Sequence, residues 1–282
     1  MKKSFCSFII LIWCLLSSSA VAKTADYAMK NSAFKYGEKI EYSAYFKWGV
    51  VTLNRLKITC KVNKEPYKST TAYGITATGL TEGNMNLFFS LRDSFYVKIT
   101  EHDLLPVYFK ETDNEQSHWA RKEYFYTKTD STFSVKSYYK DKKTCRKDTT
   151  TFSSCPVDAL SLIYRIRNLD VIDNQPKTGQ TYPLTFFDDG KEFCLQIRYE
   201  KKEIITLRNG SSYECLKFIP QVVEGSLFKN GETASIWITN DSNRLIVHAE
   251  AKLKIGYVKL DLDNVQNNRY PLTSKRIIIK KK

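Results

Sequence analysis

The sequence predicts a mainly β protein: a curved antiparallel sheet or (half-)barrel, with one accessory helix near residues 156–169. Three observations predict it. Apolar side chains alternate with polar ones along most of the chain, the period of a half-buried strand. Tyr and Phe are abundant, at 18 and 16, and their flat rings pack well on a pleated surface. Gly and Pro are few, at 11 and 7, which argues against disorder.

The chain of 282 residues opens with Met1, Lys2 and Lys3. An apolar run follows from Phe5 to Leu16, and then small residues as far as Ala20, Val21 and Ala22. A basic start, a short apolar core and a small-x-small end are the pattern of a secretory signal peptide, with cleavage expected after Ala22. The run is 12 residues long, short of the about 20 that a membrane-spanning helix needs. Cys14 follows bulky Trp13 and Cys6 lies too early, so a lipid-anchored form is not expected. The expectation is a periplasmic or otherwise exported protein, soluble after signal cleavage. Residues 23–33 read as a polar leader, 34–265 as a single β-rich domain, and 266–282 as a basic tail.

Within the domain, Ile40, Tyr42, Ala44, Phe46 and Trp48 share one face of a first strand, which Gly49 ends. Leu56, Ile58, Cys60 and Val62 share a face of the second. Ser69–Thr78 makes a third. Asn84–Leu91 reads as a short helix or an irregular segment closing one end of a barrel. Phe95–Thr100 pairs with Val107–Thr112, and Arg121–Thr129 with Thr132–Tyr139. Residues 140–154 are charged and hydroxyl-rich and read as a loop; with the helix they form a 140–170 connection between two hairpin-rich halves.

The helix is expected over Pro156–Leu169. Pro156 sits at its start, Asp158 brings negative charge to the first turn, and Ala159, Leu162, Ile163 and Ile166 form an apolar stripe. Hairpins then turn at Asp188-Asp189-Gly190, joining Tyr182–Phe187 to Phe193–Tyr199, at Asn209-Gly210, joining Ile204–Arg208 to Tyr213–Phe218, and at Asn230-Gly231. Thr233–Thr239 and Leu245–Glu250 flank another turn at Asn240–Asn243. A last long strand, Lys252–Leu262, changes apolar phase at Gly256, the mark of a β-bulge.

The net charge is +14, or +12 once Lys2 and Lys3 are removed. Acidic residues are interspersed, so a solvated surface explains the charge more simply than an anionic partner. The tail Lys275–Lys282 is either a lysine-guarded edge strand or a flexible basic end, and a candidate contact with an anionic membrane surface. Of seven Cys, five remain beyond the opening segment: Cys60, Cys145, Cys155, Cys194 and Cys215. Cys145–Cys155 is the favoured disulfide and Cys194–Cys215 the alternative; the plainer reading is five small buried hydrophobes. No spacing fits a metal site.

The search for chemistry yields little. His102, His118 and His248 are isolated, with His248 read as facing the same way as Ile246. HExxH, GxSxG, P-loop and GxGxxG patterns are absent. Asp188 and Asp189 could pair for acid–base work, but a hairpin turn explains them better. Candidate ligand-binding residues are Trp48, Trp237 and Arg244: aromatic faces and a guanidinium suit a sugar or acidic group. For Asn240–Asn243 the plainer reading is a turn capped by its own side chains, and for each Trp it is core packing.

Five stretches resemble an exported bacterial family called domain of unknown function 3108. They are Phe34-Lys35-Tyr36-Gly37-Glu38; Asp158-Ala159-Leu160-Ser161; Tyr213–Phe218 with Pro220; Glu224–Lys229; and Ile236–Arg244. The likeness spans Phe34 to Leu262, and Asn240 stands where the family tends to have a second Asp. The resemblance implies a signal peptide and a β-rich, barrel-like fold. It implies no activity and transfers no catalytic residues.

The functional expectation is a non-enzymatic, exported periplasmic protein that binds a lipid, acyl or glycan ligand in envelope maintenance, with no cofactor and no nucleic-acid partner. The alternative is a structural or protein-interaction module of the envelope.

Overall fold

In the computed structural model, the described residues are 29–48, 51–82, 90–115, 118–129, 132–169, 176–222, 233–253 and 256–277. The opening segment, most of Asn84–Leu91, the Glu224–Lys229 stretch with its Asn230-Gly231 turn, and the last basic residues lie outside them.

Alternation produces strands almost throughout. The first half runs β1 (Lys39–Trp48), β2 (Val51–Tyr67), β3 (Thr70–Thr81), β4 (Arg92–Thr100), β5 (Pro106–Glu115), β6 (His118–Lys128), β7 (Phe133–Asp141) and β8 (Cys145–Phe152). A helix follows, α1 (Ala159–Ile166). The second half runs β9 (Thr181–Asp188), β10 (Lys191–Thr206), β11 (Ser212–Val222), β12 (Thr233–Thr239), β13 (Ile246–Leu253), β14 (Gly256–Gln266) and a short β15 (Lys275–Arg276).

Among the described residues every pairing is antiparallel, and successive strands pair within β1–β8 and within β9–β14. A long ladder between the two halves joins β1 to β14, from Lys39↔Gln266 to Trp48↔Gly256. The sheet therefore runs from β8 through β1 and β14 to β9, with β15 added beside β11. It does not close, because β8 and β9 are its two ends.

Side chains bridge that seam instead. Lys122 on β6 reaches Asp188 at 2.7 Å, and the Tyr124 hydroxyl donates to the same carboxylate at 2.9 Å. Arg146 pairs with Asp189, and Ser154 Oγ donates to Glu192 at 2.6 Å. The Phe187 amide donates to the Val157 carbonyl at 2.7 Å, so the chain leading into α1 partly covers the β9 edge. Register shifts in β1, β4, β10 and between β12 and β13 bend these strands and let the sheet curl.

Three sequence expectations change. Residues 145–152 are a strand, not part of a loop. Its side chains are mostly exposed, so the β8 edge strand carries no alternating apolar signal, and charge suits an open edge. Gly256 carries no bulge within a long strand. β13 and β14 pair with Leu253 opposite Gly256, so the chain reverses between them. A reversal breaks the apolar phase just as a bulge does, and Lys254-Ile255 carries no turn signature. Phe193–Tyr199 and Ile204–Thr206 are one strand, β10, with a register shift at Tyr199/Lys201. Of the two readings of the tail, Lys275–Arg276 form the strand, and the described residues before them pack on the domain. Leu272 packs beside Tyr213 and Trp237, Ser274 is buried, and β15 pairs with β11. The leader end behaves alike, with Asn31 and Ala33 buried.

Candidate functional site

Helix α1 is an interior wedge. Asp158 caps it in an extended conformation (φ −71°, ψ 164°), accepting from the Ser161 amide at 2.8 Å and the Ser161 hydroxyl at 2.7 Å. The helix thus starts after Asp158 rather than at Pro156. Its eight residues, about 12 Å of helix, are apolar on more than one face, as a helix surrounded by sheet requires. Leu160 and Tyr164 pack with Phe34, Ile75 and Phe95 of the first half. Leu162 and Ile166 pack with Phe186, Leu195 and Ile238 of the second. Ile163 touches both clusters.

A helix this short does not fill the interior. On one side of Ile163 lies a cavity of about 130 Å³, lined by Tyr42, Ile58, Cys60, Phe95, Tyr164 and Leu260 among others. On the other lies one of about 110 Å³, bounded by Ala44, Leu195, Pro220, Ile236 and Val258. Ile163, Ile246 and Leu260 line both, so the two are neighbours.

The residues with polar groups that line the larger cavity are Tyr42, Cys60, Thr78, Tyr164 and Arg167. The Tyr164 hydroxyl is buried and has no hydrogen-bond partner. Burial, then Cys60 and Glu38 nearby, hold its pKa well above the usual phenol value. Burial likewise pushes the Cys60 thiol up to about 12, which leaves it neutral and a poor nucleophile. Arg167, the helix C-cap, also lines this cavity. It pairs with Glu38 at 2.6 and 2.9 Å and donates to the Asn243 carbonyl at 3.3 and 3.0 Å. Burial disfavours its charge, but the Glu38 carboxylate more than offsets this and holds it protonated.

The turn after β12 supports that ion pair. Asp241 accepts from the Asn243 amide at 3.0 Å and from the Ser274 hydroxyl. The Asn243 side chain holds the Tyr270 backbone in both directions, at 2.9 Å each way. Phe34 packs edge-on to Tyr164 with ring centroids 4.9 Å apart, and the Arg167 guanidinium lies 5.5 Å from the Phe34 ring. Residues from three of the family-like stretches (Phe34 and Glu38, Asp158 and Ser161, Asp241 and Asn243) thus serve to seat the helix and lock its end.

Of the residues singled out as ligand-binding candidates, Arg244 and Trp237 line neither cavity. Arg244 is buried, with φ 47°, and donates to Ser32 Oγ at 2.9 Å and to the Arg167 carbonyl at 3.3 Å. It braces the Arg167 region and lines neither cavity. Trp237 is buried on the face of β12 opposite Ile236 and Ile238, and its ring nitrogen donates to Glu203 at 2.9 Å. Trp48 ends β1 opposite Val51 and Gly256, and its side chain lies outside the described residues.

A register shift at Trp237/Ile238 puts Ile246 opposite Ile238 and His248 opposite Trp237. His248 therefore faces away from Ile246, against its rings' expected direction. Its ring lies tilted against Trp237 with centroids 4.8 Å apart and pairs with Asp261 at 2.5 Å. Neither cavity above includes this pair.

Cys145 and Cys155 are separate thiols, one exposed and one buried. β8 intervenes, and at about 3.3 Å per residue it holds them far beyond disulfide reach. Cys215 is also a free thiol, and the Cys194 side chain lies outside the described residues. Asp188 and Asp189 sit at the expected turn, where Asp189 and Gly190 adopt φ 47° and 80°. Their carboxylates hold the seam together.

Sequence reasoning missed Tyr164, Arg167 and Glu38 as a group. Their apolar or charged character was visible, but their meeting depends on where the helix docks. Among the described residues, no group of three His, Cys, Asp or Glu side chains could hold a metal, and no helix is long and apolar enough to cross a membrane.

The fold has a counterpart among solved structures. The crystal structure of a beta-barrel-like protein of domain of unknown function DUF1849 from Brucella abortus superposes with a TM-score of 0.53 at 9% identity, covering 83% of this chain and 99% of the other. That likeness is one of architecture. A comparison with curated proteins finds no match. The model of the family described as Protein of unknown function (DUF3108) matches residues 41–263, from β1 almost to the end of β14, and the chain belongs to that family.

Proposed function

We propose that this is an exported, non-enzymatic protein that holds the acyl part of a lipid or similar amphiphile inside its curved sheet, in maintenance of the cell envelope. The carrying observation is the pair of neighbouring, almost wholly apolar cavities on either side of Ile163. An apolar cavity of about 150 Å³ is large enough to stay dry and take up benzene or xenon. Each cavity here is of that order, which suits a stretch of single hydrocarbon chain rather than a whole multi-chain lipid. Export is read from the Met1–Ala22 pattern.

The test is native mass spectrometry of the protein purified from its own envelope fraction, with parallel lipid extraction. A co-purifying acyl species, on a chain whose mass begins at Lys23, is the expected result. Repeated recovery of ligand-free protein from the cytoplasm would overturn both parts.

A second reading, a protein-interaction module, draws on the open edge of β8, whose outer backbone has no ladder partner. Its exposed charged residues act against strand addition, so the cavity reading stands first.

A further inference from the structure

We propose that the outer face of β4–β8 docks on a membrane surface rich in anionic lipids. This goes beyond the cavity reading and does not depend on it.

Alternation along these strands sorts charge as well as apolarity. Phe95, Val97, Phe109, Tyr124 and Val135 pack on the interior side with α1. The acids Asp93, Glu111 and Asp113 are buried, at positions that share that side. The alternate positions carry Lys98, Lys110, Arg121, Lys136, Lys140 and Lys147, and Glu123 is the one acid there among the described residues of β4–β8. Charges that look interspersed along the chain are thus separated across the sheet.

A row of rings crosses the same outer face. Tyr96, Tyr108, Phe125 and Tyr138 stand on four successive strands, with centroids 5.9, 4.9 and 5.5 Å apart. The Lys147 ammonium on β8 lies 5.4 Å from the Tyr138 ring and continues the row. Phe125, within the row, is 43% exposed. Five strands spaced by about 4.8 Å make a patch roughly 20 Å across. None of these rings lines either cavity.

The chemistry favours a layer of headgroups over a sugar chain. Two of the three tyrosine hydroxyls are spent within the face, Tyr96 on Glu65 at 2.5 Å and Tyr108 on Glu123. Arg121, the side chain suited to fixed bidentate recognition, is held by Glu123 at 2.8 Å. Lys98 pairs with Glu65 at 2.9 Å, whereas Lys110, Lys136, Lys140 and Lys147 have no carboxylate within ion-pair distance among the described residues. They are hydrated point charges on flexible stems, which suit a fluid anionic layer. The rings between them suit the boundary where headgroups meet hydrocarbon.

Vesicle co-sedimentation tests this with the chain from Lys23 onward, which contains every described residue. One set of vesicles is phosphatidylcholine alone; the other is an equal mixture with phosphatidylglycerol. The protein should bind the mixed vesicles at least about tenfold more tightly. Raising salt from about 0.1 M to 1 M shortens the screening length from about 10 to 3 Å and should release it. Lys136, Lys140, Lys147 and Phe125 are exposed, so their variants should keep the wild-type fold, checked by circular dichroism. Each lysine near an anionic surface strengthens binding by roughly fivefold, so Lys136→Gln/Lys140→Gln/Lys147→Gln should weaken it by about a hundredfold. Phe125→Ser should weaken it by roughly three- to tenfold. Lys280→Gln/Lys281→Gln/Lys282→Gln removes the same charge from the tail and should retain most of the binding.

Equal binding to both vesicle types, a β7–β8 triple variant that binds as the wild type does, or a greater loss from the tail variant would overturn the proposal. Binding to soluble polygalacturonate without binding to vesicles would also overturn it and assign the face to an acidic glycan. The comparison of vesicle types and salt uses the wild-type protein alone, so it does not depend on any variant folding.

Discussion

Arg167 and Glu38 stand 129 positions apart in sequence and form a doubly hydrogen-bonded ion pair whose side chains are 2% and 0% exposed. Two charges this deep are tolerable only because each satisfies the other and the Asn243 carbonyl takes further donors. The pair ties the end of α1 to the approach of β1, and so holds the helix at its depth in the sheet.

Breaking one side of this pair strands a buried charge. Glu38→Gln or Arg167→Met alone should cost about 3–5 kcal/mol in urea unfolding. The double variant Glu38→Leu/Arg167→Met should recover a large share of that loss, giving a coupling of at least about 2 kcal/mol in a double-mutant cycle. Additive losses would show that the two charges are held independently.

Ile163 lines both cavities. Ile163→Ala should lower stability by about 2–5 kcal/mol, because it enlarges the void, and should strengthen binding of long-chain probes by the same gain of space. Ile163→Trp should fill them and abolish probe binding. Unfolding curves and fluorescent-probe titration read the two effects separately. A Trp variant that binds as the wild type does would place the ligand elsewhere.

Burial raises the Asp158 carboxyl from its ordinary 3.8 to about 6, partly countered by hydrogen bonds from Ser161. The folded protein therefore holds this proton more readily than the unfolded chain. The contribution favours folding fully below about pH 4 and is lost as pH rises through 6, amounting to about 3 kcal/mol by linkage. Asp158→Asn keeps a cap acceptor without the charge. Its stability relative to wild type should increase between pH 4 and pH 7, measured by denaturant unfolding at each pH. A difference that is flat with pH would show that Asp158 titrates normally.

The thiols should divide by exposure. Cys145 is exposed, whereas Cys155 and Cys215 are buried, and burial pushes the Cys155 thiol up to about 12. Under native conditions a thiol reagent should label Cys145 quickly and Cys155 and Cys215 only after denaturant is added. Peptide mapping that found Cys145 linked to Cys155 would contradict the placement of β8 between them.

Much of the fold was legible because strand alternation and turn chemistry are local. The hairpin at Asp189-Gly190 needs positive φ at both residues, and their types announce it. The α1 stripe showed through its spacing. Less was legible at the site. Trp237 and Arg244 stood out as large, chemically distinctive side chains, yet each is spent on packing or on bracing a neighbour. Tyr164 looked like one more aromatic on a helix; only the absence of a partner for its hydroxyl sets it apart.

The sequence by itself determined the class of structure: antiparallel hairpins, one short helix, and an apolar face on nearly every strand. Those follow from neighbours a few residues apart, where side-chain period and backbone preference act directly. Only the tertiary structure decided that β8 forms on an exposed edge, that His248 turns toward Trp237 across a register shift, and that Glu38 reaches Arg167. It also decided that a helix of eight residues, wedged into a wide curved sheet, leaves space on both sides of Ile163. These outcomes depend on which distant strands meet and at what depth the helix docks, and alternation along a strand carries no information about either.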